Sequence, residues 1–225
     1  MCGRFSLYSD FRTIVDRFNV DNVSFDEGEY EARYNVAPSQ QVVAVISDGK
    51  ENRLGFLRWG LIPPWAKDAK IGYKMINARS ETAADKPSYR SAFKKKRCLV
   101  VADSFYEWRR TDDGKQPMLI RMKTGEPFAF AGLWEAWKSP EGETVYSCSI
   151  LTTEPNELME SIHDRMPVVL SKEDEQRWID PDVQDTEALQ DMLKPYDADQ
   201  MEAYPVSPEV NSPKNKGPEL IEQVS

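Results

Sequence analysis

Apolar residues at 11, 14, 15 and 18 fall at i, i+3, i+4 and i+7, with Ser9 or Asp10 placed to cap, so a helix is predicted over 11–18. A loop through 28–38 follows. Residues 41–47 are apolar and β-branched, Asp48-Gly49 is a hairpin turn, and 53–59 reads as the returning strand. Gly60-Leu61-Ile62-Pro63-Pro64-Trp65 reads as a stiff, aromatic-tipped loop.

Short helices are predicted over 80–85 and 88–93, Pro87 between them suiting a first-turn position. Four strand-like runs come next, 98–108, 117–122, 127–137 and 144–153. The turns Asp113-Gly114, Thr124-Gly125 and Glu141-Gly142 separate them. A helix over 156–162 begins after Pro155, a strand over 166–170 follows, then helices over 172–179 and 186–193 and a strand over 204–206. The segment past about 210 carries Pro213, Gly217 and Pro218 and is expected to be a mobile tail. The pattern describes one α+β domain over 1–225: a mainly antiparallel, barrel-like β core with flanking short helices.

Composition narrows the class. The chain has 225 residues, 40% hydrophobic, with 15 prolines and 11 glycines, enough to bury a sizeable core in a turn-rich protein. No run approaches the ~20 apolar residues needed to cross a bilayer, and charges break up the first thirty residues, so a cytoplasmic protein without a membrane partner is expected. Cys2, Cys98 and Cys148 are widely spaced and His163 is the single histidine; neither a disulfide framework, nor a metal site, nor a cofactor is indicated. The net charge of −9 would discourage nucleic-acid binding, but its distribution changes the argument. Residues 171–225 hold 14 acidic and 5 basic side chains, which leaves residues 1–170 neutral. Within that neutral part, 94–97 is a run of three lysines and an arginine, read as a solvated face or an edge-strand gatekeeper.

The chemistry begins at residue 2. Removal of Met1 would leave an α-amine and a thiol on one residue, and both ionise close to neutrality. Such a 1,2-aminothiol condenses with an aldehyde to an imine and closes to a thiazolidine. An ordinary frayed terminus is the plain alternative, but Gly3-Arg4-Phe5 lets a backbone approach closely and places an anion-binding fork beside it.

Five segments carry polar groups at element ends or in apolar strands: Cys2-Gly3-Arg4-Phe5, Tyr34-Asn35-Val36-Ala37-Pro38, Asn77-Ala78-Arg79-Ser80-Glu81-Thr82, Phe105-Tyr106-Glu107-Trp108 and Ile162-His163-Asp164-Arg165-Met166-Pro167. Together they resemble the SRAP (SOS response-associated peptidase) family, whose members shield abasic sites in single-stranded DNA by covalent attachment. The likeness runs from residue 1 to about 210.

For the individual residues, plain readings stand beside those the resemblance implies. Glu107, if buried among aromatics, would have a raised pKa suited to donating a proton; an exposed or arginine-paired glutamate is the alternative. His163 would ordinarily interact with helix C-terminal carbonyls, although its imidazole titrates near neutrality. Asn77 would ordinarily be a turn residue or N-cap. The resemblance implies that Glu107 and His163 move protons, that Asn77 orients the Cys2 amine, and that Arg4, Arg79 and Arg165 hold phosphates. Pro38 and Trp65 are candidates for stacking on bases, with core packing as the alternative. It further implies a lyase-class protein acting in DNA damage, nucleoid-associated when bound, with Met1 removed and autocatalysis one route. A cysteine hydrolase using Cys2 and His163, and a non-covalent single-strand binder, remain open.

Overall fold

The computed structural model describes residues 2–224. The chain opens with β1 (Phe5–Leu7), β2 (Asn22–Val23) and β3 (Arg33–Val36), with α1 (Phe11–Arg17) after β1. The hairpin β4 (Gln41–Ser47) and β5 (Asn52–Trp59) follows, then β6 (Asn77–Arg79), α2 (Ser80–Ala83) and α3 (Arg90–Lys95). Next come β7 (Arg97–Ala102), β8 (Ser104–Thr111), β9 (Gly114–Met122), β10 (Phe128–Lys138) and β11 (Thr144–Thr153). The remainder is α4 (Glu157–Glu160), β12 (Met166–Pro167), α5 (Lys172–Ile179), α6 (Thr186–Asp191) and β13 (Met201–Pro205).

Five of these strands close a barrel. β11 pairs antiparallel with β10, β10 with β7, β7 with β4 and β4 with β5; β5 returns to β11 through a parallel seam at Arg58↔Ser147 and Trp59↔Cys148. Alternation along each strand sends Ala44, Trp59, Val100, Phe130 and Cys148 inward. Their neighbours Val43, Val45, Leu99, Val101 and Leu133 face outward and are also buried, because helices cover that side with Ile14, Phe93, Trp178 and Leu189. Strands apolar on both faces are the consequence. Side chains cap the helices: Asp10 accepts from the Thr13 amide at the start of α1, and Ser171 from the Asp174 amide at α5.

A second sheet, in the order β13-β9-β8-β1-β3, lies across one end of the barrel. Phe5 of β1 plugs that end, its ring 5.2 Å from Trp59 and 5.7 Å from Phe130. The predicted single strand over 98–108 is two strands in different sheets, broken at Asp103. There the carboxylate accepts from the Tyr8 amide at 2.6 Å, the Ser9 amide at 2.7 Å and Ser9 Oγ at 2.5 Å. These bonds hold the crossing point, and no hydrophobic count reveals them.

Two further readings change. Arg97, expected within a solvated basic face, is 2% exposed, and its fork donates to the carbonyls of Phe93, Lys94, Trp178, Asp180 and Val183. Burial brings its pKa down to about 10. The segment past residue 210, expected to be mobile, is docked: Val210 and Leu220 are buried against Tyr106 and Leu119, and Val206 bridges to Gln223. No helix among the described residues is long and apolar enough to cross a membrane.

Candidate active site

The site lies where β1 and β8 cross the plugged end of the barrel. Cys2 precedes β1, and the Tyr106 amide donates to Arg4 O at 2.9 Å, which ties the N-terminal segment to β8. Phe5 and Phe105 are register partners, so Glu107 lies two residues further along β8. Cys2 is fully buried. Asn77 opens β6, which pairs in parallel with β11 at Ile150. It is not an N-cap: its Nδ2–H donates to Cys2 O at 2.8 Å, and its Oδ1 is a buried acceptor with no partner among the described residues.

Glu107 is 2% exposed, so it is not a solvated strand residue. Burial pushes its carboxyl above the usual carboxylate range, and the nearby His163 offsets part of that rise. His163 Nε2 stands 4.0 Å from Glu107 Oε2, close enough for charge coupling but beyond hydrogen-bond length. The His163 backbone N–H donates to Met159 O at 2.8 Å. Its Nδ1 lies 3.1 Å from the Arg165 amide and 2.9 Å from Asp164 Oδ1. Both cannot be hydrogen bonds at once. With its proton on Nε2 the ring accepts the Arg165 N–H at Nδ1 and turns Nε2–H toward Glu107, whereas with a proton on Nδ1 it donates to Asp164.

The Cys2 thiol is pushed well above the usual range, first by burial and then by the Glu107 charge. An arrangement that activates a thiolate for hydrolysis lowers that pKa instead.

The arginines divide by exposure. Arg79 is exposed at the end of β6. Arg165 sends its fork to both Glu81 oxygens, at 2.5 and 3.0 Å, and to Thr152 O at 2.7 Å. Arg4 Nη1 donates to Asn35 Oδ1 at 2.8 Å and Val210 O at 2.6 Å, and its guanidinium lies 5.9 Å from the Trp108 ring. Trp65 is 60% exposed, which removes the core-packing alternative; Pro38 is half-buried after β3.

The sequence assigned no role to Asn35 and Glu81, although both sit in the quoted segments, and did not single out Thr152. Asn35 is buried and donates to the carbonyls of Val210, Ser212 and Asn215, which clamps the C-terminal segment behind Arg4. A polar residue inside the apolar strand Tyr34-Asn35-Val36 was the available signal. A cavity of about 530 Å³ lined by Arg17, Phe128, Lys172 and Tyr196 contains none of the candidate residues. No group of metal-ligating side chains occurs among the described residues.

Residues 1–213 match the family model described as SOS response associated peptidase (SRAP). The chain belongs to the SRAP family. It is 60% identical over 223 residues to "Abasic site processing protein YoqW" of Bacillus subtilis, covering 99% of each chain. It is 34% identical to "Abasic site processing protein HMCES" of Xenopus tropicalis, over 87% of this chain and 67% of that one. A crystal structure of a protein from Bacteroides thetaiotaomicron superposes with a TM-score of 0.89 at 28% identity, covering all of both chains. That protein shares the architecture described above.

Proposed function

We propose that this SRAP protein processes abasic sites in single-stranded DNA by forming a covalent thiazolidine with the ring-opened sugar. The observation that carries the proposal is the set of groups around residue 2. A buried cysteine has its backbone held by Asn77, with a buried carboxyl raised in pKa and a histidine 4.0 Å from that carboxyl. The relatives named as abasic site processing proteins support the substrate class.

Met1 lies outside the described residues, and its removal is part of the proposal. Hydrolysis of the first peptide bond turns the Cys2 amide nitrogen into an amine. Asn77 Oδ1, which has no hydrogen-bond partner among the described residues, then offers an acceptor to that amine, fixing its lone pair toward the substrate. The amine attacks the C1′ aldehyde, the carbinolamine takes a proton from Glu107 and loses water, and an imine forms. The Cys2 sulfur then bonds to the same carbon while its proton passes to nitrogen. One water is lost overall. Closure removes the C=N bond that would draw electrons from C2′ and expel the 3′ phosphate, so the strand is kept intact.

His163 returns the proton to Glu107 and, on reversal, protonates the sugar oxygen. Arg79 binds a phosphate directly; Arg165 does so by exchanging Glu81, and Arg4 positions the terminus. The test is to incubate Met1-free protein with an abasic oligonucleotide and run a denaturing gel. A denaturation-resistant adduct that Cys2→Ala abolishes supports the reading; no adduct, or one that survives the substitution, rejects it.

A further inference from the structure

Asn77 can hold Cys2 only as firmly as it is held itself, and β6, which carries it, is three residues long. Among the described residues β6 pairs with no strand but β11. Two side chains from other elements grip its entry. Trp59 Nε1–H, at the end of β5, donates to Ile76 O at 2.9 Å, and that carbonyl also accepts from the Ile150 amide at 3.0 Å. Tyr89 O–H, just before α3, donates to Asn77 O at 3.3 Å. Two successive carbonyls are thus fixed from two separate elements.

Trp59 does more than fill the barrel. It is fully buried, and its backbone is fixed: Trp59 N–H donates to Gln40 O at 2.9 Å, Ser39 N–H donates to Trp59 O at 2.8 Å, and the residue sits opposite Cys148 in the parallel seam. A buried indole N–H needs an acceptor, and this one finds it on the residue before Asn77. The same ring lies 5.2 Å from Phe5, in the segment that begins with Cys2. One immobilised side chain therefore touches both chain segments that the Asn77–Cys2 bond joins.

We propose that Trp59 and Tyr89 are positioning residues for the Cys2 amine, forming a clamp on the Ile76–Asn77 backbone that aims the Asn77 side chain. The inference rests on the covalent reading above. Both residues act at one remove, through carbonyls, and the clamp matters because misplacement by about 1 Å can cost on the order of 100-fold in rate.

The test has two readouts. The first is the single-turnover rate of adduct formation with an abasic oligonucleotide; the second is hydrogen exchange of the Asn77 side-chain amide by NMR, assigned by its loss in Asn77→Ala. Trp59→Phe, which keeps a ring but loses the N–H, is expected to slow the adduct at least about ten-fold, and Tyr89→Phe, which preserves packing, about three-fold. Both should speed exchange of the Asn77 amide, and neither should weaken binding to a strand carrying a tetrahydrofuran analogue, which has no aldehyde. In an Asn77→Ala background, Trp59→Phe should change the rate by less than about two-fold, because the two act as a unit. Unchanged Asn77 exchange in both variants, or a Trp59→Phe loss that persists in full beside Asn77→Ala, would overturn the clamp. Wild-type protein that formed no adduct would instead count against the covalent proposal, and the exchange measurement would still decide this one.

Discussion

Asn77 Nδ2 donates to the carbonyl oxygen of Cys2 at 2.8 Å across 75 positions of sequence. The bond converts a chain terminus into a fixed one. Because β6 is anchored to β11 by backbone pairing, the amide has a rigid support and the position of residue 2 is inherited from the barrel. Asn77→Ala should slow adduct formation about 10- to 100-fold through lost orientation, with little change in melting temperature. Asn77→Asp should do no better, since a carboxylate cannot donate to a carbonyl. A gel time course settles it; rates within about two-fold of wild type would remove Asn77 from the mechanism.

Glu107 carries the pH dependence. Its folded-state pKa lies above the unfolded value because burial penalises the charge. The cost to stability is therefore present above the folded pKa and vanishes below the unfolded one. Glu107→Gln should raise the melting temperature at pH 8 and leave it unchanged at pH 4. The same substitution should reduce the adduct rate about 100-fold and erase the decline of rate at alkaline pH. A variant no more stable than wild type at pH 8 would contradict the burial argument.

Asp103 holds the crossing between the barrel and the second sheet with three donors on one carboxylate. Asp103→Asn keeps an acceptor but loses the charge and sets an amide against N–H groups. A loss of about 2 kcal/mol in urea unfolding is expected. An unchanged midpoint would show that the crossing is held by packing alone.

Glu81 and Arg165 form a bidentate pair in which Glu81 is 51% exposed, so solvent screens it and Glu81→Gln should cost less than about 1 kcal/mol. The Arg165 fork holds the Glu81 carboxyl below its usual range, so this small contribution is present above the unfolded pKa and fades as pH falls through the folded one. If a phosphate exchanges with Glu81, Glu81→Gln should leave DNA affinity equal or higher, while Arg165→Gln lowers it about ten-fold. Equal losses in both variants would assign the pair a structural role only.

Much of this was legible in the chain. The spacing of Phe11, Ile14, Val15 and Phe18 locates α1, and the alternation through 41–59 locates the β4–β5 hairpin, because periodicity reports which face is buried. β1 and β6 were not legible. Each is three residues long, too short for a period to register, and each is held by neighbours distant in sequence. The break at Asp103 and the docking of the C-terminal segment are tertiary effects of the same kind: hydrogen bonds from Tyr8 and Ser9 in one case, from Asn35 in the other. The candidate residues Cys2, Asn77, Glu107 and His163 were found through five motifs taken together. The holding of Arg165 by Glu81 was not, although both sit in those motifs, because a charge in a motif does not disclose its partner.

The central claim is that the nitrogen and sulfur of residue 2 both bond to one sugar carbon. Peptide mapping of the purified adduct by mass spectrometry, with borohydride and a thiol alkylator as probes, tests it directly. The account predicts a cross-link on Cys2 weighing the sum of protein and oligonucleotide less one water, resistant to reduction and carrying no alkylatable thiol at residue 2. A cross-link mapped to another residue, or a Cys2 adduct whose thiol still reacts, would contradict it.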